Sequence, residues 1–152
     1  MVLCFSRQKN YMASASFFVP LDHTADVGYR LFAPNLAELF AIAGRALFDA
    51  ITELGSIQLR HERNIAVTAD DVEALFVAWL AELNYYCLTA FELYGEFKIT
   101  EISPTSVHAT VRGEKIDSAR HVIQTEIKAV TYHELYVRQT PTGWEAQVIF
   151  DV

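Results

Sequence analysis

Hydrophobic positions recur along this chain with two different periods, and the switches between them outline the fold. Residues 17–20 and 27–33 read as extended segments, separated by the polar insert Asp22-His23-Thr24-Ala25-Asp26. Asn35 and Glu38 have the three-residue spacing of a helix N-cap and its capping-box partner. Leu36, Leu39, Phe40, Ala43, Leu47 and Ile51 then recur at helical spacing, and Gly55 supplies a stop. A first helix over about residues 36–53 follows. Asn64 to Thr68 alternates and is rich in β-branched residues, which reads as a short strand. Asp70 and Glu73 repeat the capping arrangement and open a second helix, about residues 71–91. Its apolar residues cover well over half the circumference, so it is either buried centrally or presents a face to a partner. Burial is the preferred reading.

After Gly95 the period becomes two. Phe97–Ile102 and Thr105–Arg112 read as strands joined through Ser103-Pro104, with Val107, Ala109 and Val111 on one face and His108 and Thr110 on the other. A polar loop, Gly113 to Gln124, leads to a long strand, Ile127–Arg138. The turn Thr140-Pro141-Thr142-Gly143 returns the chain as Trp144–Asp151. The order is βαβα followed by a run of four strands. It predicts an α+β fold, two helices packed on a mostly antiparallel sheet, in a single domain over residues 17–152. Residues 1 to about 16 read as a poorly ordered leader, with Met12 an alternative start.

Composition narrows the class. A chain of 152 residues that is 52% hydrophobic can build a core without disulfides or a structural metal, and it is too apolar for intrinsic disorder. Its net charge of −7 argues against direct nucleic-acid binding, which rests on Lys and Arg displacing counterions. Cys4 and Cys87 lack the number for a disulfide framework and the spacing for zinc, and read as reduced thiols. The most apolar run, Val72 to Phe91, is interrupted by Glu73, Glu82 and Asn84, and a central carboxylate costs ~2.5–3.5 kcal/mol on insertion. Arg7, Lys9 and Asn10 follow the apolar start, the reverse of a secretory signal. A cytoplasmic location is the expectation.

The six glycines are all too far apart for a phosphate-cradling loop. No H-E-x-x-H and no G-x-S-x-G occurs, so zinc-peptidase and serine-hydrolase motifs are missing. Two features remain. The Asp22–Gly28 insert carries three ionisable groups in five residues, for which a local Asx-type turn is the plain structural account. The sequence also stops at Phe150-Asp151-Val152, right after an apolar strand. That puts Asp151 beside the α-carboxylate, and two such groups repel unless a proton or cation intervenes. A hard divalent cation with a further Asp would resolve the repulsion.

These stretches resemble the archease family from about residue 18 to the end. The resemblance rests on Asp22-His23-Thr24-Ala25-Asp26-Val27-Gly28, on Ala46-Leu47-Phe48-Asp49, and on Gly113-Glu114 with Asp117 and His121. It extends to Glu126-Ile127-Lys128-Ala129-Val130-Thr131-Tyr132-His133 and the ending Val148-Ile149-Phe150-Asp151-Val152. It implies a non-enzymatic cofactor of the GTP-dependent tRNA-splicing RNA ligase, promoting the ligase's guanylylation and multiple turnover. It also implies a divalent cation, calcium, on Asp26, Asp151 and Val152. Such an ion would be either structural or delivered to the ligase. His23, Lys128 and His133, within the matching stretches, are the candidate partner contacts. In a regular strand Lys128, with Glu126 and Tyr132, would face opposite to His133, which would be either a core histidine or an exposed one. His121 and Asp117 read as a solvated turn. The alternatives are a metal-assisted hydrolase on Asp26 and Asp151 with a His23 or His133 base, which lacks a recognisable nucleophile, and a chaperone-like module using the second helix.

Overall fold

The computed structural model describes residues 15–22 and 26–152. Most of the expected leader and His23 therefore lie outside the described residues. Among the described residues seven strands and two α-helices follow in the order β1 (Phe17–Pro20), β2 (Val27–Ala33), α1 (Leu36–Ile51), β3 (His61–Thr68), α2 (Val72–Ala90), β4 (Glu92–Ser103), β5 (Ser106–Lys115), β6 (Ala129–Thr140) and β7 (Gly143–Asp151). The α+β class is as the sequence predicts. The strands divide into two antiparallel sheets, β1-β2-β7-β6 and β3-β5-β4, where the sequence pattern suggested one.

Both helices begin where a side chain can replace a missing backbone acceptor. Asn35 Oδ1 accepts the Glu38 N–H at 2.9 Å. Glu38 does not complete a capping box; its carboxylate accepts from the Ser16 hydroxyl at 2.7 Å, tying the first turn of α1 to the residue before β1. In α2 the cap is Asp71, one residue beyond the expected Asp70, accepting from the Ala74 N–H at 2.8 Å. The end of α1 comes at Ile51, because Thr52 turns extended and its hydroxyl donates to the Val122 carbonyl at 2.8 Å. Gly55 lies further on, in the short 3-10 turn Leu54–Ser56.

One hydrophobic core joins the two sheets through the helices. Leu39, Phe40, Ala43, Ala46 and Leu47 of α1 are fully buried, as are Leu75, Phe76, Trp79, Leu80 and Leu83 of α2. The Trp79 indole N–H donates to the Phe40 carbonyl at 2.9 Å, joining the helices by a buried polar contact. Central burial of α2 is thus observed along its first three turns. Its C-terminal end differs, with Tyr85, Leu88 and Phe91 exposed. No helix among the described residues is long and apolar enough to cross a membrane.

Candidate functional site

The acidic end of the larger sheet is set by strand register. β2 and β7 pair Val27 with Phe150, and one further step along that register sets Asp26 beside Asp151. Residues directly opposite on antiparallel strands share a face, so both carboxylates project on the side away from the helices, and both are exposed. β6 fixes Asp151 from its other side, through the pairing Ala129↔Asp151 and a Lys128 N–H bond to the Asp151 carbonyl at 2.8 Å. Val152 follows, half-buried against the core. Among the described residues no group of three or more His, Cys, Asp or Glu side chains is arranged to hold a metal ion, and the β2–β7 register brings two carboxylates, Asp26 and Asp151, to this end. Every donor they offer is oxygen, the ligand type of a hard cation and not of zinc or copper. Asp26, Asp151 and a Val152 carboxylate are chemically suited to such an ion.

The segment entering this end is pinned by packing. The Leu21 N–H bonds to the Gly28 carbonyl at 2.8 Å, and Leu21 lies over Gly28 and Ile149 on the outer face of the sheet. Ile149 is 1% exposed yet stands outside the main core, a small satellite covered from this side. A Cβ on Gly28 would fall 2.9 Å from Leu21 Cδ1 and 3.2 Å from Ile149 Cγ1, so glycine permits this close approach.

The regular alternation expected for β6 is broken next to that satellite. The strand begins at Ala129, leaving Lys128 just outside it, and its register jumps between Thr131 and Tyr136. Tyr132-His133-Glu134-Leu135 thus bulge opposite Val148, Glu134 adopting φ of 54°. Gln147 Nε2 holds the bulge by donating to the Glu134 carbonyl at 3.0 Å. Lys128, Tyr132 and His133 are all exposed, so His133 is not a core histidine, and the regular strand assumed for the opposite-face arrangement does not run from Lys128 to His133.

The polar loop holds the larger surprise. His121 is 4% exposed and Glu114 is 4% exposed, which corrects the solvated-turn reading. His121 Nδ1 accepts the Asp117 N–H at 2.8 Å, which leaves Nε2–H to donate towards Glu114 Oε2 at 3.0 Å and the Ser56 carbonyl at 3.2 Å. Glu114 also accepts from the Gln58 N–H at 2.7 Å and is paired with Arg120, with Arg60 Nε 3.7 Å away. Burial alone would push the Glu114 carboxyl up. Arg120, the Gln58 N–H and the His121 ring outweigh it and hold the group at about 2 against an ordinary 4.5. This satisfied network fastens the β5–β6 loop to the turn after α1, helped by a Gln124 N–H bond to the Ile51 carbonyl at 2.8 Å. Sequence reasoning missed it, although Glu114, Asp117 and His121 were among the residues carrying the family resemblance; the i,i+4 spacing of Asp117 and His121 was the one available local signal.

Residues 18–152 match the Archease protein family. The archease of Methanosarcina acetivorans is 35% identical over 136 residues, covering 87% of this chain and 93% of that protein. That of Methanopyrus kandleri is 33% identical over 135 residues, covering 87% and 96%. The solution structure of a Methanobacterium thermoautotrophicum protein superposes with a TM-score of 0.73 at 30% identity, covering 89% of this chain and 98% of that one. A crystal structure from Thermotoga maritima, described as an archease and possible chaperone, shares the fold with a TM-score of 0.61 at 22% identity, over 88% and 96%.

Proposed function

The chain belongs to the archease family, and from that premise we propose that it is a non-catalytic protein cofactor of a GTP-dependent tRNA-splicing RNA ligase, acting in the cytoplasm to promote the ligase's guanylylation and multiple turnover. The observation that carries this reading is the pairing of Asp26 with Asp151 at one sheet end, in a chain that matches the family from residue 18 onward. Asp26, Asp151 and the carboxylate of Val152 would hold a divalent cation, calcium. When bound, that ion neutralises the facing carboxylates and gives the acidic end a fixed charge.

The remaining work falls to the chain's own groups. Leu21, packed over Gly28 and Ile149, restrains the segment that carries Asp26. The Lys128 N–H holds the Asp151 backbone, and Gln147 holds the bulge that displays Tyr132 and His133. Lys128, His133 and His23 are the proposed contacts with the ligase. The net charge of −7 fits a partner that approaches the protein while the ligase itself grips the RNA.

The test is a multiple-turnover RNA-ligation assay with the cognate ligase, with and without this protein. The expected result is acceleration that Asp26→Ala abolishes. No acceleration at any metal or GTP level overturns the proposal, and hydrolytic turnover by the isolated protein that Asp26→Ala abolishes would put a metal-assisted hydrolase in its place. Residues appended after Val152 are expected to weaken calcium binding; an unchanged calcium titration would remove Val152 from the ligand set.

A further inference from the structure

The C-terminal end of α2 and the β5–β6 loop enclose an apolar groove of about 340 Å³, walled by Ile51, Leu88, Phe91, Ile116, Ile123 and Ile127. Its mouth is unusually apolar for a surface: Phe91 is 61% exposed, Ile123 43% and Leu88 39%, with Val122 beside them at 75%. The groove also contains an unspent polar group. Asn84, 5% exposed, donates through Nδ2 to the Ile127 carbonyl at 2.8 Å, but its Oδ1 has no hydrogen-bond partner among the described residues. A buried amide oxygen left unpaired costs roughly 1–3 kcal/mol, so a native structure that keeps one invites a donor.

A second polar group has the same sign. The Glu126 carboxylate lines the groove, and it joins burial in pushing the Cys87 thiol up to about 11. Asn84 Oδ1 and Glu126 are both acceptors, so the groove favours an occupant that is apolar and only donates. Among side chains, Trp, Lys and Arg donate without accepting. The apolar walls select Trp for the interior, its indole N–H directed to Asn84, and the Glu126 rim selects a cation next to it. The groove also adjoins the acidic end of the sheet, since Ile127 in its wall precedes Lys128, whose N–H holds Asp151.

We propose that this groove docks a partner protein's segment carrying a tryptophan beside a basic residue, with the indole N–H meeting Asn84 Oδ1 and the cation meeting Glu126. The assignment rests on the groove's own chemistry and does not depend on the partner being an RNA ligase. Oδ1 is itself shielded from solvent, so docking requires the side chains that line the groove to part and uncover it.

The test is an NMR titration of the isotope-labelled full chain with tryptamine, which has the indole, the N–H donor and the cation in one small probe. Saturable shifts are expected at the methyls of Leu88, Ile116, Ile123 and Ile127 and at the Asn84 side-chain amide. Tryptamine methylated on the indole nitrogen should bind about tenfold more weakly, the worth of one buried hydrogen bond. Indole-3-propionate, with a carboxylate in place of the ammonium, should bind more weakly to the native chain, and most of that gap should close in Glu126→Gln. A Lys-Trp-Lys peptide should produce the same shifts, and a Lys-Phe-Lys peptide much weaker ones. No saturable shift at these groups, or equal binding of the methylated probe, overturns the proposal. So does concentration-dependent dimerisation that Leu88→Asp abolishes, which would assign the groove to a second copy of this chain.

Discussion

Asp151 and Glu114 are both carboxylates near the ends of antiparallel strands, and the chain treats them in opposite ways. Glu114 is buried and met on every side, by Arg120, the Gln58 N–H and the His121 ring. Asp151 is exposed and has Asp26 beside it, a like charge with no cationic side chain paired to it among the described residues. The first arrangement satisfies its charge internally and therefore serves structure. The second leaves its charge without a cationic partner among the described residues, as the proposed cation site requires. Burial with partners and exposure beside a like charge thus separate a structural carboxylate from a candidate binding one more sharply than either residue's place in the sequence.

The widest separation is expected from Glu114→Ala. It removes the acceptor of the Gln58 N–H and the partner of Arg120, and leaves the His121 Nε2–H with the Ser56 carbonyl alone; unfolding stability should fall by about 2 kcal/mol, read by denaturant titration, with calcium affinity unchanged. A calcium affinity that fell in parallel would show the two regions to be one site.

The same group sets an acid dependence. Its folded value of about 2 lies below the ordinary 4.5, so the unfolded chain binds the extra proton between them. The stability Glu114 contributes is complete above pH 4.5 and is lost as pH falls towards 2, and Glu114→Gln should flatten that part of the pH–stability curve. A curve of unchanged slope in this variant would place the acid sensitivity elsewhere.

At the other region, Asp151→Asn should weaken calcium binding by about tenfold or more, since affinity at such sites follows ligand charge. Without calcium its melting temperature should stay level or rise slightly, because a like-charge pair is relieved. A marked fall in stability would make Asp151 a structural carboxylate after all. The mildest effect belongs to Gly28→Ala, whose Cβ presses on Leu21 Cδ1 at 2.9 Å. It should cost about 1 kcal/mol and weaken calcium binding a few-fold by shifting the segment that carries Asp26. Calcium titration and thermal melting of this one variant together show whether Leu21 positions Asp26.

The helices were legible because their signals are local: an apolar stripe at helical spacing and an Asn or Asp at the cap. Even so, two adjacent acids, Asp70 and Asp71, left the start of α2 ambiguous by one residue until the Ala74 N–H chose between them. The partition into two sheets was not legible, because it depends on pairings such as Val27↔Phe150 and His61↔Gly113 between strands far apart in the chain. Asp26 and Asp151 stood out through family resemblance and a charge argument, and the β2–β7 register, one step beyond Val27↔Phe150, sets them opposite each other. His121 was misread for a general reason. Four charged residues in the loop from Gly113 to His121 look solvated in sequence, and nothing local says that one carboxylate turns inward and takes its counter-charges with it. The bulge in β6 gave no warning either, since Glu134 takes a left-handed conformation without a glycine to announce it.

The same bulge bears on how this protein meets copies of itself. Among the described residues β6 is the outer strand of its sheet, and a straight twelve-residue outer edge would be a template for another chain. The kink at Tyr132–Leu135 cuts that template into two short lengths, 129–131 and 136–140, too short and too differently aimed to recruit one continuous neighbour. The opposite edge, β1, is four residues long and ends in Pro20. Straightening the bulge would remove a display of side chains and, with it, a guard against edge-to-edge aggregation.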